Sequence, residues 1–378
     1  MASIPSHMKG LVVESYAKDA EEEKEPYKYR EDLQVPNVEP HQILIRIRAA
    51  GYCHTEMMVA RGEFHEMSRQ GLPLIPSHEP TGVVVKLGEK AEEMSRHVAG
   101  FREGPVKVGD RIGSTAFGNF CGKCPECKAG GWRQIYCPDQ DFFGVTANGA
   151  FAEYCVLDIR SSVRLPDSLS FDTAAPLMCA GATIYEAIRK CKLEKGQSLA
   201  IVGAGALGHL GVQFSKTLGF KTIIIDSRDP PLEMCKKLPY PPDITFNSSF
   251  VDLDKPDMIK KAVEACGGEV DAVIIATDAI PAYKFGFDMV KKHGLYCVVG
   301  QPADPIPVSF FPLIFKNVTI IGSLLSDSAN LKDMVDLVAE KKIECKTIAY
   351  PLKDVHKMIH DVHLPSHSGK MVIHISED

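Results

Sequence analysis

The chain has 378 residues, more than one hydrophobic core ordinarily serves, so two domains of about one to two hundred residues each are expected. Apolar residues make up 45% of it and the formal net charge is −6, a soluble globular balance that gives no support to nucleic-acid binding. No apolar run opens the chain as a secretory signal would, and none nears the roughly 18 residues of a membrane span, so a cytoplasmic, reducing setting is expected. There the twelve cysteines read as metal ligands or core residues before they read as disulfides.

In chain order, the first fifty residues read as strands and turns. Leu11-Val12-Val13 is a short apolar run, and residues 42–48 alternate apolar and polar with the period of a half-buried strand. The acidic run Glu21-Glu22-Glu23 is expected to be a solvated loop. A β-rich domain of this kind delivers Gly51-Tyr52-Cys53-His54-Thr55-Glu56 at a strand end, where loops held by a scaffold carry chemistry. Here a thiol, an imidazole, a hydroxyl and a carboxylate stand on four consecutive residues. Ser77-His78-Glu79 follows, then strands at 82–87 and 106–112, with the charged stretch 89–105 expected as a surface insertion. Cys179 lies in a helical pattern running from Asp172 to Lys190. Cys53, His78 and Cys179 together supply the two-thiolate, one-imidazole set with which a catalytic zinc keeps a fourth position open.

Cys121, Cys124 and Cys127 are spaced by two residues each, and Cys137 follows after nine intervening residues, a pattern suited to a closed tetrahedral thiolate site for a structural zinc. Cys155, Cys191, Cys235, Cys266, Cys297 and Cys345 have no such company and read as core. From residue 198 a buried strand leads directly into Gly203-Ala204-Gly205-Ala206-Leu207-Gly208 and a helical pattern over 209–218, the context a dinucleotide-binding turn requires. Asp226 ends the next strand, where an acid holds the adenosine ribose hydroxyls and favours NAD over NADP, with Arg228 close enough to leave NADP use open. Strands at 272–276 and 295–299 continue an alternating parallel sheet, and a helix at 329–341 with a final strand at 371–374 is expected to return to the first domain. His356, His360, His363 and His367 show no acid or thiol partner in the sequence and are not read as a metal site.

With these motifs placed, the chain resembles the zinc-dependent medium-chain alcohol dehydrogenases over nearly its whole length, closest to their microbial, commonly tetrameric branch. The motifs that carry the resemblance are Gly51-Tyr-Cys-His-Thr-Glu56, His78-Glu79-x-x-Gly82, the four-cysteine cluster, residues 174–183 around Cys179, and the Gly-rich turn. The resemblance implies an α/β fold: a β-rich GroES-like catalytic domain, residues 1–180 and 319–378, and a Rossmann doubly wound parallel-sheet coenzyme domain, residues 181–318. It implies two zinc ions per chain, NAD, an alcohol or aldehyde substrate, and a homo-oligomer, dimer or tetramer. Cys53, His78 and Cys179 would hold the catalytic zinc, with Glu79 able to adjust its coordination and Glu56 bracing His78. Thr55 would accept the alcohol proton, and His54 would contact the pyrophosphate. Thr183, Gly203, Gly205, Ala206, Leu207, Gly208, Asp226 and Val299 would meet the cofactor, and Phe64, Ala116 and Gln301 the substrate.

Four positions depart from the family pattern. Ser77 stands where glycine is usual, Met58 replaces the proton-relay histidine, Ala116 replaces a large pocket aromatic, and Gln301 replaces an apolar residue. The last two imply a pocket wider and more polar than one for ethanol, suited to an aromatic, branched or polar-substituted alcohol. Without the relay histidine the proton leaves either through His65 or by direct exchange of the ribose with water. The rival readings are a zinc-free reductase of the same superfamily and a catalytically silent metal-binding or redox-responsive protein.

Overall fold

Two sheets organise the chain in the computed structural model, which describes residues 3–19, 21–68, 70–249, 251–252, 255–364 and 366–376. The first has the strand order Thr347–Pro351, Lys370–His374, Gln42–Tyr52, Pro80–Leu87, Arg111–Ser114 and Ser162–Arg164, with Tyr154–Asp158 also paired to Gln42–Tyr52. Gln42–Tyr52 is its central strand. Ile43, Leu44, Ile45, Ile47, Ala49 and Ala50 are all buried, so the strand is covered more fully than an alternating pattern suggests. Its register against Pro80–Leu87 shifts twice, at Leu44/Ile45 and at Ile47/Ala49. Such bulges bend a strand, and here they precede Cys53.

Two stretches, 89–105 and 172–190, fold otherwise than expected. The stretch 89–105 is no surface insertion: it forms a short helix, Ala91–Ser95, and a 3-10 turn, Ala99–Phe101, and Ala91, Phe101 and Val106 are anchored in the core. Apolar residues spaced among many charges suffice for that. Nor is Asp172 to Lys190 one helix. An α-helix, Phe171–Pro176, passes through a π-helical turn, Leu177–Gly181, into a second helix, Ala182–Lys190. Pro176 has no N–H to donate to the preceding turn, and the wider winding that follows presents Cys179.

The second sheet is wholly parallel, in the order Ile244–Asn247, Lys221–Asp226, Ser198–Val202, Val270–Ile275, Val290–Val298 and Thr319–Gly322. The chain direction of the winding reverses between Ser198–Val202 and Val270–Ile275, the place where doubly wound sheets open a crevice beyond the strand ends. Thr319–Gly322 is the sheet's sixth strand, so the boundary expected at 318 falls inside the sheet. The chain then crosses back. Helix Ser328–Lys341 packs on Ala182–Lys190 and on Ala99–Phe101, and Lys370–His374 pairs antiparallel with Gln42–Tyr52, setting Met371 opposite Tyr52 and Val372 opposite Gly51. No helix of the described residues is long and apolar enough to cross a membrane.

Candidate active site

Cys53 ends the central strand and opens the helix His54–Ala60. Its backbone N–H donates to Glu56 Oε2 at 2.7 Å, so the first turn is closed by its own carboxylate. The other oxygen, Oε1, lies 2.6 Å from His78 Nδ1. A buried carboxylate accepts here, which fixes the proton on Nδ1 and leaves Nε2 as the donor to a cation. Glu56 itself is anchored by Tyr27, whose hydroxyl donates to the Glu56 carbonyl at 3.0 Å.

The next motif turns on Ser77, whose φ is +75°. A non-glycine residue there costs about 1–2 kcal/mol. The serine keeps the shape by donating Oγ–H to the Gly51 carbonyl at 2.9 Å, a net gain of about 1 kcal/mol. Ala150 N–H adds a bond to the Ser77 carbonyl at 2.8 Å. The glycine expected at this position is therefore replaced without loss of the turn.

These elements bring one donor atom each from Cys53, His78, Glu79 and Cys179 within 4.8 Å of one another. Glu79 is fully buried; its Oε1 receives Lys370 Nζ at 2.6 Å, while Oε2 has no hydrogen-bond partner among the described residues. Lys370 Nζ also donates to the Tyr52 carbonyl at 2.9 Å. A Cβ at position 51 would run into Glu79 Oε2, so the close approach requires glycine. The Cys53 thiol is pulled well below its usual range by an S–H···S bond from Cys179 and by the Lys370 ammonium, and Cys179 is pushed up by the same bond and by burial. Burial pushes Glu79 up to about 7 against the pull of Lys370. Burial would lower His78, but the Glu56 carboxylate and the Cys53 sulfur more than offset it and make the imidazole more basic. Two sulfurs, one imidazole nitrogen and an orphaned buried carboxylate oxygen fit a zinc ion with an exchangeable position.

Cys121, Cys124, Cys127 and Cys137 form the second convergent set. Backbone amides already point at the sulfurs: Cys124 N–H to Cys121 Sγ at 3.4 Å, Cys127 N–H to Cys124 Sγ at 3.3 Å and Cys121 N–H to Cys137 Sγ at 3.4 Å. The amides of Lys123 and Cys124 bring the Cys121 thiol down to about 7, while burial raises Cys127 to about 12. Four sulfurs with no other donor make a closed site. Among the described residues these two groups are the ones whose metal-type donors converge this closely.

The Gly-rich turn sits at the crevice of the parallel sheet. Gly203 has φ +110°, and a Cβ there would lie 2.7 Å from the Ala276 carbonyl; one at Gly208 would run into the Gly203 carbonyl. Nothing crowds Gly205, so the backbone is open to a ligand there. Ala206 and Leu207 lead into helix Gly208–Thr217, and Asp226 Oδ2 accepts the Ala204 N–H at 2.8 Å. Asp226 Oδ1 accepts the Arg228 N–H at 3.0 Å and faces its Nε at 3.3 Å. A cavity of about 290 Å³ is lined by Gly203, Asp226, Ser227, Ser248, Thr277 and Ala279 among others. Thr183 lies in the first turn of Ala182–Lys190, and Val299 follows the strand Val290–Val298, its N–H on the Ile275 carbonyl at 3.1 Å.

His209, which no sequence motif singled out, ties this turn to the returning chain. Its Nδ1 bonds the Gly205 carbonyl at 3.0 Å and its Nε2 accepts Lys346 N–H at 3.3 Å. Complete burial pushes its pKa down to about 4. The neutral ring is the folded form, so the unfolded chain binds the extra proton between about pH 6.5 and 4, and stability is lost as pH falls through that window. The loss should reach roughly 3 kcal/mol. Urea denaturation at pH 7.5 and pH 4.5 checks this: His209→Gln should show a flatter pH dependence than wild type, and equal slopes would contradict the assignment.

The remaining expected residues are less gathered. His54 is exposed, while Thr55 and Met58 are half-buried. Phe64 packs edge-on against Phe142, and it is Phe142 that lies edge-on to His78, with ring centres 5.6 Å apart. Ala116 is fully buried, with its carbonyl taking Phe143 N–H at 2.9 Å, and Gln301 is exposed on the loop after Val290–Val298. His65 Nδ1 bonds the Gly62 carbonyl at 2.8 Å and the ring lies edge-on to Tyr16, so its own turn holds it. His356 and His363 bond the Tyr27 and Ile359 carbonyls, and they share a cavity with Glu23 and Glu25, acids the sequence did not show beside them.

Comparison with known proteins accords with this geometry. Residues 39–167 match the family model described as alcohol dehydrogenase GroES-like domain, and residues 206–340 the one described as zinc-binding dehydrogenase. An alcohol dehydrogenase of Geobacillus stearothermophilus is 30% identical over 368 residues, covering 97% of this chain and 100% of the relative. One from Rhizobium meliloti is 31% identical, covering 83% and 85%. Among solved structures, the alcohol dehydrogenase of the archaeon Aeropyrum pernix superposes with a TM-score of 0.81 at 24% identity, covering 97% of this chain and 99% of that one. A cinnamyl alcohol dehydrogenase of Sorghum bicolor gives 0.80 at 23% identity, covering 97% of each chain. With zinc-type donors, a dinucleotide turn and a full-length relative at this identity, the chain belongs to the zinc-dependent medium-chain alcohol dehydrogenase family.

Proposed function

We propose that this dehydrogenase exchanges hydride between NAD and an alcohol bulkier than ethanol, aromatic, branched or polar-substituted, giving an aldehyde or ketone. The convergence of Cys53, His78, Glu79 and Cys179 within 4.8 Å carries the reading. Cys53, His78 and Cys179 would hold the catalytic zinc, Glu79 would be the acid able to enter or leave its coordination, and the four-cysteine group would hold the structural zinc. When bound, zinc acts as a Lewis acid that lowers the pKa of an alcohol by several units, and NAD takes the hydride. Thr55 Oγ1 would accept the alcohol proton and hand it on toward the ribose end of the cofactor site. Met58 has no proton to exchange, so the proton would leave through His65, whose Nδ1 is tied to the Gly62 carbonyl with Nε2 left to accept, or by direct exchange with water. His54 and the turn Gly203–Gly208 would hold the pyrophosphate, and Asp226 the ribose hydroxyls, where a 2′-phosphate would meet a like charge. Ala116 and Gln301 favour a wide, polar-edged pocket, with Phe142 and Phe64 as its aromatic wall. We assign the catalytic domain to residues 1–180 and 323–378 and the coenzyme domain to 181–322, and a cytoplasmic setting suits twelve unpaired cysteines.

Elemental analysis tests the metal assignment: about two zinc ions per chain are expected, and one ion with no turnover would favour a silent protein.

A homo-oligomer is supported by the outer edge of the parallel sheet. Among the described residues Thr319–Gly322 has a neighbour on one side only, its Ile320 is exposed, and so are Val308, Phe310, Phe311, Ile314 and Phe315 just before it. An open edge beside exposed phenyl rings suits the same edge of a second copy. Sedimentation should give at least twice 41.4 kDa for wild type and 41.4 kDa for Phe311→Glu/Ile314→Glu. A monomeric wild type would overturn the interface.

A further inference from the structure

Three loops meet at the open end of the crevice, and one acid joins two of them. Gly300 N–H and Val299 N–H both reach the Ile275 carbonyl, at 2.9 and 3.1 Å. A Cβ at Gly300 would run into the Thr277 carbonyl and lie 2.7 Å from the Tyr283 hydroxyl, so the loop after Val290–Val298 is pressed onto the loop after Val270–Ile275. That second loop is also the wall against which the Gly-rich turn rests, since a Cβ at Gly203 would meet Ala276 O and lie 3.2 Å from Thr277 Cβ. Asp278 closes the contact: its Oδ1 accepts Gln301 N–H at 2.7 Å. Thr277 and Ala279, on either side of it, line the crevice that also holds Asp226.

Backbone packing fixes the loop through Gly300 and then stops. Past that point the direction of Gln301 rests on the Asp278 bond, since Gln301 and Asp278 are both exposed and have no core to hold them. We propose that Asp278 is a positioning residue: by accepting the Gln301 N–H it fixes where the Gln301 amide meets the substrate and couples that wall to the cofactor crevice. This rests on the reading of Gln301 as a substrate residue. A charged acceptor on a backbone N–H is among the stronger hydrogen bonds, so its removal should be felt in discrimination before it is felt in folding.

The test compares Asp278→Ala, Asp278→Asn, Gln301→Ala and the double variant Asp278→Ala/Gln301→Ala in the zinc-loaded enzyme. The readouts are NADH binding by fluorescence and kcat/KM for a hydroxyl-bearing and an unsubstituted aldehyde of equal length. Asp278→Ala should cut the preference between the two aldehydes about fivefold to tenfold, mostly through KM, while Asp278→Asn, which keeps an oxygen acceptor, should stay within about twofold of wild type. The double variant should lose no more preference than Gln301→Ala alone. Additive losses, or an unchanged preference in Asp278→Ala, would overturn the proposal. If Gln301→Ala itself leaves the preference intact, the pocket reading fails instead; an Asp278→Ala effect seen only on NADH binding would then place the acid with the cofactor and reject its action through Gln301.

Discussion

Cys53→Ser should reduce alcohol oxidation about a thousandfold or more, because a Lewis acid supplies several kcal/mol of charge stabilisation and each 1.36 kcal/mol is tenfold in rate. The substitution exchanges a soft thiolate for a hydroxyl that stays protonated, and it removes the partner whose S–H···S bond sets the protonation of Cys179. It also leaves the Glu56 to Cys53 backbone bond in place, so the helix His54–Ala60 should still form. Zinc content should fall from about two ions to about one per chain, the four-cysteine group keeping its own. NADH binding should persist, since the Gly-rich turn and Asp226 lie on the other sheet. A variant with full turnover would remove Cys53 from the ligand set.

Lys370→Met should cost about 3–5 kcal/mol of stability, the usual consequence of stranding one charge of a buried pair. Glu79 is fully buried and Lys370 nearly so, and Glu79 Oε2 already lacks a partner. Without the ammonium, burial raises Glu79 further and the carboxyl should take up a proton, which removes its use beside a cation. The double variant Lys370→Met/Glu79→Gln should recover most of the loss, because no charge then remains to be desolvated. Urea or thermal unfolding of both variants, at matched zinc content, checks the pair. Equal destabilisation of the single and double variants would show that the methylene stem of Lys370, and not its charge, matters.

Local chemistry was legible in the sequence where neighbours in the chain remain neighbours in space. The strand, turn and helix around Gly203–Gly208 followed from an apolar run, three glycines and a helical pattern, and the parallel order around them from the alternation of strands and helices. The convergence of Cys121, Cys124, Cys127 and Cys137 followed from spacing alone. What could not be read depended on register between distant segments. Lys370 reaches Glu79 only because Met371 pairs with Tyr52, a contact 319 residues apart in sequence that a single lysine before an apolar strand does not announce. Phe142 stands against His78 because the loop after the four-cysteine lobe folds back, and the Phe142-Phe143 pair was its only trace. The π-turn that presents Cys179 was hidden because Pro176 and Gly181 interrupt a pattern whose apolar spacing continues through them. At Ser77 the sequence shows a residue in place of glycine but not its remedy: the side chain restores by a hydrogen bond to Gly51 what its Cβ costs in backbone strain.

NADH oxidation by the zinc-loaded wild-type chain, measured against aldehydes graded in size and polarity, tests the central claim most directly. Turnover is predicted, with kcat/KM higher for aromatic, branched or hydroxyl-bearing aldehydes than for acetaldehyde, and lost on removal of the zinc assigned to Cys53, His78 and Cys179. No NADH consumption with any aldehyde in a chain that retains two zinc ions would contradict it.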